Sequence, residues 1–313
     1  MTELEVVTVD CDYLQPRFAA AFLMAAAGEA VVIETNTTKA VSRITAALKS
    51  HSIPHSQVRY IIVTHVHLDH AGGAGALLKL CPNAKVVAHP RAARHLIDPS
   101  KLVASATAVY GEKEFEKLYG VIDPIPADRV IELADGAELA FGRGQLKFFH
   151  TRGHANHHFC VYDPLRAAVF TGDTFGLAYP KLQKKGLFVV PSTSPTDFDP
   201  TAAKESVKLI ASLGAKRAYL THYGPITSIQ AAADQLLEHL EHSEKLMVWA
   251  SRQKTDEALL TKSCEEDLRE YYLSYAEKAR LGLGADDWAL LDLDFRLNAQ
   301  GIVAAARRPA KSQ

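Results

Sequence analysis

Apolar and polar positions along the chain fall into two kinds of run. LEVVTVD (4–10) alternates, whereas FAAAFLMAAAG (18–28) and AVVIET (30–35) are almost continuously apolar, with Gly28-Glu29 as the turn between them. The three read as opening strands. KAVSRITAALKSH (39–51) places Val41, Ile44, Ala47 and Leu48 on one helical face, with Thr37 or Thr38 as its cap. An apolar strand RYIIVT (59–64) runs into HVHLDH and a glycine-rich helix start, AGGAGALLKL, and Pro82-Asn83 then precedes another short strand, AKVVAHP.

Helical patterning occupies 91 to about 120. Strand patterns return in RVIEL, AELAFG, QLKFFHT, HFCVYD and AAVFTGD. Residues 175–200 contain Pro180, Pro191, Pro195 and Pro200 and read as a long loop, a kind that is usually functional. A helix (TAAKESVKLIASLG), a strand (RAYLTH) and two or three further helices finish the chain. Strand-rich blocks followed by helices, without a simple βαβ rhythm, predict a layered α/β sandwich. The strand-poor tail divides the chain into a domain at 1–242 and a helical C-terminal extension at 243–313.

Composition narrows the class. In 313 residues, 35 Lys+Arg oppose 36 Asp+Glu, so net charge suggests neither a nucleic-acid nor a membrane partner. The most apolar stretch, Phe18 to Ala27, is far shorter than the roughly 20 residues that span a bilayer. The acidic start MTELEVVTVD does not resemble a secretory signal, and Cys11, Cys81, Cys160 and Cys264 form no C-x-x-C. These features predict a cytoplasmic protein with buried thiols. A homodimer is expected on base rate alone.

The distinctive chemistry is histidine. His65-Val66-His67-Leu68-Asp69-His70 follows a wholly apolar strand. In extended chain, residues i and i+2 point the same way, so His65 and His67 can face one metal. The bend into AGGAG turns Asp69 and His70 toward a second position. Imidazoles and a carboxylate without thiolate suit Zn²⁺, with Fe²⁺ or Mn²⁺ as alternatives. Three more apolar strands end near a possible ligand: His154, Asp173 and His222. Loops at strand ends are where such folds place sites.

With these motifs the chain resembles the metallo-β-lactamase superfamily. H-x-H-x-D-H is met by residues 65–70, and Gly153-His154, Thr171-Gly172-Asp173 and Thr221-His222 match the later motifs in order. The resemblance implies an αβ/βα four-layer sandwich with two divalent metals. By it, His65, His67 and His154 hold one ion, Asp69, His70 and His222 the other, and Asp173 bridges them. Asp173 stands where class B β-lactamases carry Cys, which argues against antibiotic hydrolysis. His67 argues against the flavodiiron branch, which has Glu there. Glu34 occupies a strand-end position where the family often has Asp. The pattern is most similar to the glyoxalase II, lactonase and tRNA-processing branches.

The expected function is a metal-dependent hydrolase in which two ions share a water, lower its pKa toward about 7 and direct hydroxide at a small ester, thioester or lactone. The resemblance gives Asp69 a catalytic proton-transfer role. Alternatives are a phosphodiesterase, an iron-dependent redox enzyme or a non-catalytic binding protein. Tyr110, His158 and Tyr223 are candidate substrate contacts. Lys181, Lys184 and Lys185 are candidates for attracting an anionic substrate. Cys160 reads as core.

Overall fold

The computed structural model describes residues 4–193 and 197–308, and divides the chain into two compact units. The first comprises Met1–His150, His157–Gly172 and Gly214–Thr227; the second comprises Thr151–Asn156, Asp173–Leu213 and Ser228–Gln313.

Both sheets lie in the first unit. One has the order β1 (Leu4–Asp10), β2 (Ala20–Ala26), β3 (Glu29–Ile33), β4 (Val58–Ile62), β5 (Lys85–Ala88), β6 (Val130–Glu132). Its first two pairings are antiparallel and its last three parallel. The other is built from β7 (Glu138–Phe141), β8 (Gly144–His150), β9 (Phe159–Asp163), β10 (Ala168–Gly172), β11 (Arg217–Leu220) and β12 (Gly224–Ile226), adjacent in that order. Only its β10–β11 pairing is parallel.

The continuous apolar runs have a direct explanation. In β2, Ala20, Phe22, Met24 and Ala26 join Phe148, Phe159, Phe170 and Tyr219 of the second sheet in the inter-sheet core. The alternate residues Ala21, Leu23 and Ala25 face the opposite way, into a core under helices. Side chains alternate across a strand, so a strand buried on both faces has no polar positions to interleave. The helices on that outer face are α1 (Val41–Ser50), with Val41, Ile44 and Leu48 buried, α3 (Ala74–Leu80) and α4 (Pro90–Ile97); the one-turn α2 (Leu68–Ala71) precedes α3. An insertion before β6 forms α5 (Ser100–Tyr110) and α6 (Glu112–Tyr119).

The expected cap of α1 is not made. Thr38–Ala40 form a 3₁₀ turn, no side chain caps α1, and the Thr38 hydroxyl instead lies 2.6 Å from the Val121 carbonyl.

The second unit is helical: α7 (Pro200–Ser212), α8 (Ile229–Ser251), α9 (Glu257–Lys278), α10 (Ala285–Trp288) and α11 (Asp292–Arg307). Asp199 caps α7 by accepting from the Ala202 amide at 3.1 Å, and Asp256 caps α9 by accepting from Ala258 at 2.9 Å. Helix α8 runs without a break through residue 242, where the sequence reading starts its extension. Among its described residues, the proline-bearing loop is irregular apart from one 3₁₀ turn, Pro180–Leu182, and a bridge between Leu177 and Val190. Asn298 of α11 holds it, accepting from the Thr193 amide at 2.8 Å and donating to the Pro191 carbonyl at 2.9 Å. Two of the three loop lysines are engaged structurally. Lys181 donates to the Asp286 carbonyl and Lys184 pairs with Asp287, each at 2.7–2.8 Å. Among the described residues, no helix is long and apolar enough to cross a membrane.

Candidate metal centre

In the first unit the ligand run begins where β4 stops. Glu34, at the end of the neighbouring β3, is 1% exposed and accepts from the Thr64 amide at 2.9 Å through Oε1 and from His70 Nδ1 at 2.8 Å through Oε2. Thr35 and Asn36 extend the strap: the Thr35 hydroxyl donates to the His70 carbonyl and Asn36 Nδ2 to the Asp69 carbonyl, both at 2.8 Å. The turn carrying Asp69 and His70 is therefore fixed by backbone acceptors as well as by its own helix.

His65 Nε2 and His67 Nδ1 lie 2.9 Å apart. That is close enough for both nitrogens to reach one zinc ion, which binds imidazole nitrogen at about 2.0–2.1 Å. Asp69, His70 and His222 form a second group, with ligand atoms all within 4.8 Å of one another. Asp69 Oδ2 is 3.4 Å from His222 Nε2 and 3.9 Å from His70 Nε2.

The opposite ring nitrogens decide what this second group fits. His70 Nδ1 donates to Glu34, and His222 Nδ1 donates to the Phe18 carbonyl at 2.9 Å, assignments made from the hydrogen-bond partners. With Nδ1 protonated, each neutral ring presents an Nε2 lone pair beside a carboxylate. Two lone pairs and an anion gathered in a largely buried site call for a cation, and such tethering of ligand imidazoles is characteristic of metal sites. The donor set fits a divalent ion.

Within the second unit, His154 Nε2 and Asp173 Oδ2 lie 3.5 Å apart. His154 Nδ1 again faces an oxygen, the Ser192 carbonyl at 3.1 Å. The segment is firmly held: Asp197 accepts from Asn156 at 2.8 and 2.9 Å, and the Ser206 hydroxyl donates to the Arg152 carbonyl at 2.7 Å. Gly153 is at φ +119°, and a Cβ there would lie 2.3 Å from Ala203 backbone, so only glycine lets the chain pass against α7. At Gly172, in the first unit and next to Asp173, φ is +50° and a Cβ would meet His158 Nε2 at 2.4 Å.

The structure thus brings together His65 with His67, Asp69 with His70 and His222, and, within the second unit, His154 with Asp173. His158 is fully buried, its ring 4.9 Å from that of His65. Tyr223 packs against the inter-sheet core under the Arg17 guanidinium, 5.6 Å from its ring centroid, and burial pushes its phenol pKa up. The side chain of Tyr110 lies outside the described residues. All four cysteines are free and buried, and burial raises the Cys160 thiol to about 12 and those of Cys81 and Cys264 to about 11. Sequence reasoning missed the two carbonyl anchors, Phe18 and Ser192, because a backbone acceptor leaves no residue-type signal. The position of Glu34 at a strand end was the available clue to its role.

A sequence profile described as the metallo-beta-lactamase superfamily matches residues 14–222. The chain is 30% identical over 189 residues to the metallo-beta-lactamase fold-containing protein ST1585 of Sulfurisphaera tokodaii, covering 59% of this chain and 67% of that one. It is 24% identical over 217 residues to a hydroxyacylglutathione hydrolase of Francisella tularensis subsp. novicida, covering 65% and 73% respectively. The crystal structure of ST1585 superposes with a TM-score of 0.65 at 22% identity, over 95% of this chain and 97% of that one.

Proposed function

The chain belongs to the metallo-beta-lactamase superfamily, and on that premise we propose that it is a dinuclear metal-dependent hydrolase acting on a small ester, thioester or lactone. The observation that carries the reading is the Asp69, His70 and His222 group, with both imidazoles tethered through Nδ1 so that their Nε2 atoms meet beside the carboxylate. The reading assigns His65, His67 and His154 to one ion and Asp69, His70 and His222 to the other, with Asp173 shared, following the order of the family motifs. Zinc is the ion best suited to this nitrogen and oxygen donor set.

Divalent ions held by these residues would supply Lewis acidity toward a carbonyl oxygen and would lower the pKa of water from 15.7 toward about 7. The protein's own contributions follow from the hydrogen bonds. Glu34 and the Phe18 carbonyl keep the protons of His70 and His222 on Nδ1, away from the site. Asp69, whose side chain is 26% exposed while that of His70 is fully buried, is the acid placed to exchange a proton with solvent and substrate. In hydrolysis, water gives its oxygen to the acyl carbon as the acyl C–O or C–S bond breaks. The Asp69 carboxylate takes the water's proton and passes it to the departing oxygen or sulfur. No side-chain nucleophile is needed, and the raised thiol pKa values leave no thiolate at neutral pH to serve as one.

The relative named as a hydroxyacylglutathione hydrolase supports the thioester among the three classes. The test is a panel of ester, thioester, lactone, phosphodiester and β-lactam substrates, run with zinc-, iron- and manganese-reconstituted protein. Turnover of a carbonyl ester or thioester, abolished by His67→Ala, is expected. Turnover of the phosphodiester alone, or of nothing, would overturn the reading.

A further inference from the structure

The second unit holds a cleft of about 350 Å³ between the proline-bearing loop and the C-terminal end of α9. That volume falls within the range of small-molecule sites. Lys185 enters from the loop, Glu277 and Arg280 from the helix end and Trp288 from α10, with Leu273, Ala276 and Leu283 as the aliphatic part of the lining. None of the seven candidate metal ligands lines it.

Both sides of the cleft are fixed by hydrogen bonds. On the loop side, Gln183 accepts from the Phe188 amide at 2.9 Å and donates to the Phe188 carbonyl at 2.8 Å. Lys181 and Lys184 are tied to Asp286 and Asp287, which leaves Lys185 as the loop lysine that lines the cleft. Its stem lies against bare backbone: a Cβ at Gly282 would come within 3.0 Å of Lys185 Cδ and Cε. On the helix side, the Leu281 amide donates to the Ala276 carbonyl at 2.9 Å and the Arg280 amide to the Glu277 carbonyl at 3.0 Å. Such a double closure usually places glycine at its left-handed position. Here that position is Arg280, at φ +54°. Arg280 is exposed and has no ion pair or side-chain hydrogen bond among the described residues, so no contact of its side chain offsets the unfavourable backbone.

The cleft presents donors and an apolar surface side by side. The Lys185 ammonium, the Arg280 guanidinium and the Trp288 indole N–H have no acceptor among the described residues. The Trp288 ring is seated edge-on to Phe188 at 6.1 Å and nearly parallel to Phe295 at 6.4 Å, both fully buried, while Leu273 is 43% exposed. Glu277 is the one acid on the lining, so cations outnumber carboxylates. The C-terminal end of a helix favours nearby cations, which lets two like charges share this place before a ligand arrives.

We propose that this cleft binds an aliphatic monocarboxylate, its charged end between Lys185 and Arg280 and its hydrocarbon chain along Leu273, Leu283 and the Trp288 ring. The aliphatic lining selects a flexible chain, and the paired cations select the carboxylate over a neutral headgroup. The inference goes beyond the hydrolase reading and does not rest on it.

The test follows the indole N–H signals of Trp249 and Trp288 by NMR in the full ¹⁵N-labelled chain, with Trp249→Phe assigning them. Carboxylates also bind metal ions, so a readout at the cleft separates this site from the metal centre. Octanoate is expected to shift the Trp288 signal saturably and to leave that of Trp249 in place. Octan-1-ol, which lacks the charge, and acetate, which lacks the chain, are each expected to bind about tenfold more weakly or worse. Arg280→Gly is expected to unfold at the same temperature as the wild type or higher, because glycine suits the left-handed backbone, and yet to bind octanoate about fivefold more weakly. Lys185→Gln is expected to weaken binding to a similar degree. Glu277→Gln removes the like charge and is expected to strengthen binding about two- to fourfold. The proposal is overturned if the Trp288 signal does not respond at about 10 mM octanoate. It is equally overturned if octan-1-ol shifts that signal as readily, or if Arg280→Gly and Lys185→Gln both bind octanoate as tightly as the wild type.

Discussion

Glu34 and His70 form a fully buried pair in which Oε2 accepts from Nδ1 at 2.8 Å while the other carboxylate oxygen is occupied by the Thr64 amide. One side chain at the end of β3 therefore sets both the tautomer of a candidate ligand and the start of the loop that carries it. Glu34 itself has φ +65°, so the backbone bends out of the strand as the carboxylate turns in.

Replacing this carboxylate tests its role. Glu34→Gln keeps the size of the side chain but makes the group facing His70 Nδ1 a neutral amide. Partners of this kind typically contribute about 10–100-fold to metal affinity. That loss is expected for the ion assigned to Asp69, His70 and His222, measured by competition with a chromophoric chelator, with circular dichroism unchanged.

Packing between the sheets is expected to dominate stability of the first unit. Phe170 is fully buried, its ring 5.4 Å from Phe22 and 5.1 Å from Tyr219. Phe170→Ala should cost about 3–5 kcal/mol, through lost transfer free energy and the cavity left behind. A shifted denaturant midpoint at constant slope would record it.

The second unit should be acid-sensitive through His239. This fully buried histidine of α8 hydrogen-bonds the Tyr271 hydroxyl at 2.9 Å and is ringed by Phe188, Tyr272 and Tyr275; burial, then the nearby His242, lower its pKa to about 3. Unfolded, it titrates near 6.5, so between those values the unfolded chain binds the extra proton. Its contribution to stability is present above pH 6.5 and is lost as pH falls, by about 1.4 kcal/mol per unit. His89, lowered to about 4 by burial and by His150, acts in the same direction. Urea titrations from pH 7 to 4 at fixed metal concentration should show His239→Asn losing less stability on acidification than the wild type. Parallel losses in the two proteins would contradict the assignment.

The parts of the fold most legible in the sequence were those in which one constraint acted alone. Strands β2 to β5 read as apolar runs because both faces are buried, and His65 to His70 stand out because four of the seven candidate ligands sit in one short segment. Other features depend on partners distant in sequence. Thr38 resembles a cap, but Val121 takes its hydroxyl. Lys181 and Lys184 resemble an anion-attracting run, but α10 offers a carbonyl and a carboxylate at closer range. β12 is three residues long and contains Pro225, so no periodicity announces it. The anchors of His222 and His154 are main-chain carbonyls, which any residue type can supply.

Metal stoichiometry tests the central claim most directly. Native mass spectrometry of the full chain after zinc supplementation and buffer exchange should show two ions per chain, one retained in Asp69→Ala and the occupancy reduced again when His65→Ala is added. A wild-type chain that keeps no ion, or a double variant that still keeps two, would contradict the account.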